Sequence, residues 1–296
     1  MTRVLLIGGS GQLGRVIRHT LSTVWHIEAP SSQQLDITRD AEVLRYVEAH
    51  PYDVIVNCSA FTRVDDAELH RGEAERLNAH APGVLAAAAA RVNALFVHIS
   101  TDYVFDGSGR PPYAPDAPCH PLSEYGRTKL AGEAAVVEAN PRGIVVRTSW
   151  LHSSSDNNFV ARATQLLSSG KPMRVLCDQI GTPTRCDTLA TTLHRLVDRS
   201  APPGIYHVSD VGAASWFDVA FAVRDALSRL IQLEPTATVT PISGRDYPQR
   251  ATRPRVSVLD CHKTWDLVDL APIPWIDGVR QTVAERVAAQ APPQPS

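Results

Sequence analysis

Tyr125 and Lys129 stand four positions apart in Tyr125-Gly126-Arg127-Thr128-Lys129-Leu130-Ala131-Gly132-Glu133. On a helix such a pair shares one face, so the ammonium can lie close to the phenol. A cation there favours the phenolate and lowers a phenol pKa from its ordinary value of about 10. A phenol tuned in this way can give its proton to a ketone oxygen at neutral pH. Thr101, in Ser100-Thr101-Asp102-Tyr103-Val104-Phe105, brings a hydroxyl that could hold the same oxygen. These residue types fit carbonyl reduction. The same spacing also fits an ordinary half-exposed helix face, so the elements around it must decide.

Arg3-Val4-Leu5-Leu6-Ile7 is a β-favouring apolar run and predicts a strand buried on both faces. It leads into Gly8-Gly9-Ser10-Gly11-Gln12-Leu13-Gly14 and then the helical pattern Val16, Ile17, Leu21. Strand, glycine turn and helix in that order let a backbone approach a pyrophosphate and present it with a helix N-terminus. His26 to Ala29 predicts a second strand. A further element starts at Leu35-Asp36-Ile37-Thr38, with Thr38 or Asp40 capping a helix through Val47. Asp53 to Asn57 predicts a strand, Glu73 to Ala79 and Leu85 to Arg91 predict helices, and Leu95 to Ile99 predicts a strand ending at Ser100 and Thr101. A proline-rich loop from Pro111 to Pro118 precedes the Tyr125 helix, which runs to about Glu138, and Gly143 to Thr148 is again a strand. This alternation predicts an α/β, Rossmann-like doubly wound parallel sheet. Ligands bind at the C-terminal rim of such sheets, where the Gly8 turn, the Asn57 strand end and Thr101 converge.

The formal net charge of -2 gives no footing for nucleic acid or an anionic membrane. No apolar run approaches the roughly 18–20 residues of a membrane helix, and the N-terminal segment lacks the shape of a secretory signal. Cys58, Cys119, Cys177, Cys186 and Cys261 are scattered and fit reduced thiols of a cytoplasmic protein. The 11 histidines show no metal-ligand spacing. Ala29-Pro30-Ser31-Ser32-Gln33 holds neither the acid that grips the ribose of NAD nor the arginine that meets the phosphate of NADP. Glu28 comes one residue early and could face a partner helix, so NADH and NADPH stay open.

The chain resembles the extended short-chain dehydrogenase/reductase superfamily and, more closely, the dTDP-4-dehydrorhamnose reductase family, over nearly its whole length to about Val287. Besides the glycine turn and the Tyr125–Glu133 segment, the pieces that carry the likeness are Asn57-Cys58-Ser59-Ala60-Phe61-Thr62-Arg63-Val64-Asp65, Ser100 to Gly107, Arg147-Thr148-Ser149-Trp150, Asn157-Asn158-Phe159, Asp178-Gln179-Ile180-Gly181-Thr182-Pro183-Thr184 and Arg253-Pro254. The resemblance implies NADH- or NADPH-dependent reduction of the 4-keto group of dTDP-4-dehydro-β-L-rhamnose. Tyr125 would protonate the oxygen, Thr101 would hydrogen-bond it, and Lys129 would hold the cofactor ribose. It also implies cofactor contacts at Gly8, Gly11, Gln12, Leu13, Gly14, Asp36, Ile37, Ser59, Ala60 and Ser100, with Tyr125 and Lys129. Substrate contacts would fall on Thr62, Val64, Thr101, Tyr103, Trp150, Asn158 and Arg253.

Related dehydratases carry a Glu where Tyr103 stands, so the resemblance favours simple reduction over elimination. It further implies a small substrate domain: residues 1–150 would bind the dinucleotide, 151–287 mainly the sugar nucleotide with segments returning to the sheet, and 288–296 would form a disordered tail. In this second half Asn158 to Leu167 and Asp187 to Val197 predict helices, and Arg174 to Cys177 and Gly204 to Val208 predict strands. Ser215 predicts an N-cap. Arg245, Arg250 and Arg255 join Arg253 as candidate cations. Some family members hold Mg2+ with acidic residues at a dimer contact. Arg15 stands where the first acid is expected, while Asp187 and Glu285 match the other two, so no metal site is expected. The protein would be a monomer or homodimer. Reduction of another dTDP-4-keto-6-deoxysugar and a non-catalytic NADP-binding regulatory subunit are the alternatives.

Overall fold

The computed structural model describes residues 1–155 and 158–290. Its centre is a parallel sheet of six strands: β1 (Thr2–Ile7), β2 (Trp25–Glu28), β3 (Val54–Asn57), β4 (Leu95–Thr101), β5 (Ile144–Thr148) and β6 (Gly204–Val208), in the order β2-β1-β3-β4-β5-β6. The chain moves outward one way from β1 to β2 and the other way from β3 onward. The rim between β1 and β3 is therefore the switch point that opens a crevice.

Alternation along the strands explains their unbroken apolar runs. Val4, Leu6, Val56, Val97 and Val146 face the helices Gln12–Thr20 and Cys186–Asp198. Leu5, Ile55, Phe96 and Val145 face the helices Asp40–Glu48 and Ala81–Arg91. Both faces are covered, so the strands are apolar on both sides except where a polar group is buried with a partner, as at Asn57, His98 and Arg147. A second lobe packs the helices Phe159–Ser168, Trp216–Leu230 and Trp275–Gln290 around Leu167, Val223 and Val283. A short parallel pair, Met173–Leu176 with Val239–Ile242, borders it. Ser215 caps its helix in a full capping box with Asp218.

Several expectations need correcting. The segment Leu35–Thr38 leads into the helix Asp40–Glu48 as a turn, and neither Thr38 nor Asp40 caps that helix. Leu35 and Ile37 are buried as anchors, and Asp36 Oδ1 accepts from the Thr38 amide and hydroxyl. Thr38 is thereby consumed, and Arg39 sits at the N-cap with no side-chain bond. The two helices expected between residues 73 and 91 are one rod: Arg71–Glu75, a π turn Arg76–His80, then Ala81–Arg91. Pro82 has no N–H to give the Asn78 carbonyl, and the rod widens there. The helix Trp275–Gln290 runs through Ala288 and Ala289, where a tail was expected. Residues 291–296 and Asn157 lie outside the described residues. Among the described residues no helix is long and apolar enough to cross a membrane.

Candidate active site

Close approach shapes the turn after β1. Gly8 has φ +80°, and a Cβ there would stand 2.7 Å from the Ser59 backbone nitrogen, so only glycine lets the ends of β1 and β3 meet. The helix Gln12–Thr20 begins at once. Gly11 is its N-cap, no side chain bonds to its first turn, and no acid sits there. These uncapped N–H groups border a cleft of ≈ 610 Å³ lined by Gly8, Gly11, Gln12 and Leu13. Such a cradle fits the pyrophosphate of a dinucleotide. Glu28 at the end of β2 accepts from the Tyr46 phenol at 2.5 Å, so it faces the helix Asp40–Glu48 as the sequence allowed. Arg18 instead lies beside Gly9: the Cβ position on Gly9 is 3.5 Å from Arg18 Cδ and 2.7 Å from Ala29 Cβ.

The opposite wall carries the reactive groups. β4 ends at Thr101, whose hydroxyl accepts from the Tyr103 amide at 3.2 Å. Ser123 caps the helix Glu124–Ala139 by accepting from the Gly126 amide, which puts Tyr125 in its first turn. The Tyr125 phenol lies beside the Thr101 hydroxyl, which favours its ionised form, and its ring meets that of Tyr103 edge-on at 6.0 Å. Burial pushes the phenol up to about 12, and the Thr101 hydroxyl offsets only part of this.

Lys129 departs from expectation. It is 1% exposed. Its Nζ donates to the Ile99 carbonyl at 2.7 Å and lies 3.2 Å from His98 Nε2. His98 Nδ1 lies 3.2 Å from Asn57 Nδ2, and Asn57 Oδ1 accepts from the Ser59 amide and hydroxyl. The ammonium is thus drawn under the helix to β4, and burial lowers it to about 8. What shifts Tyr125 is burial, then Thr101 and Asp102; a Lys129 cation pulling the phenol down is not found. Spacing sets which helix face two residues share, not where a long side chain ends.

A second cleft of ≈ 480 Å³ adjoins the first, and Phe159 and Trp216 line both. Trp150 has φ +47°, and its ring stacks on Trp216 at 3.7 Å with 5° between planes. Arg162, Arg174, Arg253 and Tyr247 line this second space, a set suited to phosphate charge and an aromatic base. Arg253 is aimed by Asp65 through two bonds of 3.1 and 2.8 Å. Asp65 also accepts from the Arg250 and Ala251 amides, and the Arg253 guanidinium, chiefly, holds its carboxyl down at about 2.

Residues 1–288 match the family described as the RmlD substrate binding domain. The chain belongs to this family. A dTDP-4-dehydrorhamnose reductase of Mycolicibacterium smegmatis is 38% identical, covering 97% of this chain and 86% of that protein. A protein of Streptomyces antibioticus named as a probable dTDP-4,6-dihydroxy-2-methyloxan-3-one 4-ketoreductase is also 38% identical, covering 98% of each. The crystal structure of dTDP-4-dehydrorhamnose reductase from Bacillus anthracis in complex with NADP superposes with a TM-score of 0.89 at 33% identity, covering 96% of this chain and 100% of that one.

Within this RmlD-type fold the expected site residues divide. Gly8, Gly11, Gln12, Leu13, Ser59, Ala60, Ser100, Tyr125 and Lys129 line the first cleft, as do Thr62, Thr101, Trp150 and Asn158. Tyr103 and Arg253 line the second. Gly14, Asp36, Ile37 and Val64 line neither: Gly14 packs against the Gly8 carbonyl, Ile37 is buried in the core, Asp36 is bound to Thr38, and Val64 opens the short helix Val64–Ala67. Asn158 also spends its side chain on capping, bonding to the Ala161 amide and the Ser153 carbonyl. Arg245, Arg250 and Arg255 are exposed and off the cleft walls. Sequence reasoning missed Arg162, Arg174 and Trp216, which sit inside amphipathic helices or strands where nothing local marks them, and it missed Asp102, Ser257 and His98.

The Mg2+ site that the family resemblance raised does not fit here. Arg185 Nη2 lies 2.7 Å from Asp187 Oδ2 and 3.1 Å from Glu285 Oε1, so a guanidinium already bridges the two carboxylates, and Arg15 lines the same hollow. Among the described residues no cluster of three or more His, Cys, Asp or Glu side chains could hold a metal.

Proposed function

We propose that the protein reduces the 4-keto group of a dTDP-4-keto-6-deoxysugar, with dTDP-4-dehydro-β-L-rhamnose as its substrate and NADPH as the preferred reductant. One observation carries this reading: Thr101 and Tyr125 stand side by side on the wall of a glycine-turn cleft that adjoins an arginine- and aromatic-lined one. A dinucleotide along the first and a nucleoside diphosphate in the second would bring a sugar carbonyl to those two hydroxyls. The bound nicotinamide supplies hydride to the carbonyl carbon. The chain's own residues do the rest: Thr101 and Tyr125 meet the developing negative charge on oxygen, and Tyr125, held protonated by burial, gives the proton. The reductase names of relatives and the NADP complex of one of them support this reading. Glu28 is tied to Tyr46 while Arg18 lies beside Gly9, which favours a ribose phosphate over a bare ribose. Both clefts are walled by one chain, so a monomer or a homodimer serves equally.

The Streptomyces antibioticus relative supports a second reading, another dTDP-keto-sugar. The test supplies each dTDP-4-keto-6-deoxysugar, generated in situ, and follows NADPH and NADH absorbance. Consumption with the rhamnose precursor is expected; none with any keto-sugar would refute the enzyme reading and leave the regulatory subunit. Tyr125→Phe should lose about 10²–10⁴-fold in kcat, the usual worth of a proton donor, while cofactor binding persists.

A further inference from the structure

Asp102 lies directly behind Thr101 and is 2% exposed. Its Oδ1 is 3.1 Å from Thr101 Oγ1, and its Oδ2 accepts from Ser257 Oγ at 2.5 Å, across 155 residues of chain. The titratable groups facing it are the Tyr103 and Tyr125 phenols. The cations of the neighbourhood are engaged elsewhere, Arg253 on Asp65 and Lys129 on Ile99. A buried carboxylate without a cation is costly and tends to take up a proton.

A hydroxyl has one proton and two acceptor positions. The Tyr103 amide occupies one acceptor position of Thr101. If Asp102 is a carboxylate, Thr101 must spend its proton on Asp102, and the Tyr125 proton points at Thr101. If Asp102 is the neutral acid, Ser257 still donates to Oδ2, so the acid proton sits on Oδ1 and points at Thr101. The Thr101 proton is then free for the ketone or the phenol, and the Tyr125 proton is free for the ketone.

Resting on the reductase reading above, we infer that neutral Asp102 is a positioning residue that makes Thr101 a donor and refills Tyr125 through it. As the ketone carbon is reduced, its oxygen takes the Tyr125 proton. The phenolate takes the Thr101 proton, and Thr101 takes the proton of Asp102, which ends as carboxylate; solvent restores it between turnovers. Burial, the leading cause, raises the Asp102 carboxyl to about 7, against the Ser257 and Thr101 bonds that lower it.

The test measures kcat across neutral pH in the full-length protein. Wild-type kcat should fall about tenfold per pH unit above the Asp102 ionisation, as for any single essential acid. Asp102→Asn, whose amide can donate to Thr101 and whose carbonyl can accept from Ser257, should abolish that descent. Ser257→Ala removes a bond to the charged form and should move the descent to higher pH. Infrared spectra of the cofactor complex should show a protonated-carboxyl band that titrates near neutrality in wild type and is missing in Asp102→Asn. A descent unchanged in both variants would assign it to Lys129 and overturn the inference, as would absence of the band. The band is read without turnover, so it tests Asp102 even if no keto-sugar is reduced.

Discussion

Gly181→Ala isolates what the Trp150 ring contributes. A Cβ at residue 181 would stand 2.6 Å from Trp150 Cε2 and 2.8 Å from Cζ2 and Nε1, where ordinary contact begins at 3.4 Å. The indole would have to retreat by a large part of an ångström. It cannot do so along its normal, because Trp216 is stacked on it at 3.7 Å. The backbone cannot withdraw either, since Gly181 is paired with Ala214. Overpacking of this kind costs about 1–3 kcal/mol. If binding restores the native ring position, that energy appears as a loss of roughly 5- to 150-fold in kcat/KM, at 1.4 kcal/mol per tenfold. Steady-state kinetics and tryptophan fluorescence read it directly. Gly72→Ala, where an added Cβ meets nothing within 4 Å, is the control and should change neither. If Gly181→Ala keeps kcat/KM within about twofold with unchanged fluorescence, Trp150 is not a wall of the substrate site.

Other perturbations follow from buried charge. Glu133 and Arg147 are each 3% exposed and joined at 2.7 Å, and Glu133 also accepts from Ser100. Glu133→Ala strands the guanidinium and should cost about 3–5 kcal/mol in urea unfolding; a loss under about 1 kcal/mol would contradict this. Asp65→Ala frees Arg253 and should raise KM for the sugar nucleotide with little change in kcat; a fall confined to kcat would count against a binding role. Stability should also depend on pH. The Asp102 carboxyl, at 3.8 when unfolded, is raised to about 7 by burial. Its contribution is therefore full below the unfolded value and lost as pH rises through about 7, on the order of 4 kcal/mol in all. Asp102→Asn should flatten that slope; denaturation midpoints across the range check it. The Asp65 carboxyl, held at about 2 by Arg253, acts in reverse and loses its contribution only as acid approaches that value.

The parts of the site legible in the sequence are those made by one short stretch. The glycine turn, the strand ending at Thr101 and the Tyr125–Lys129 spacing each declare themselves within about ten residues, because period and turn chemistry are local. Asp102 was read as part of a string; its meaning comes from Ser257, and that of Asp65 from Arg253. The direction of Lys129 was misjudged for the same reason, since the Ile99 carbonyl and His98 that attract it lie on another element. Gly204–Val208 was legible as a strand, but only the structure places it beside β5.

The segment from Arg250 to Asp260 threads across the front of the molecule. It bonds to Asp65, Ile180, Asp102 and Tyr113 in turn. The last strand of the six-stranded sheet ends at Val208, so all six strands are synthesised before this segment. A nascent chain can therefore bury its main core and still own no finished substrate site. Closing loops of 155 and 188 residues makes the site a late event in folding, because such distant contacts form slowly. Chains halted before this stretch would be compact yet inert, and the last strap to arrive is the one that arms the enzyme.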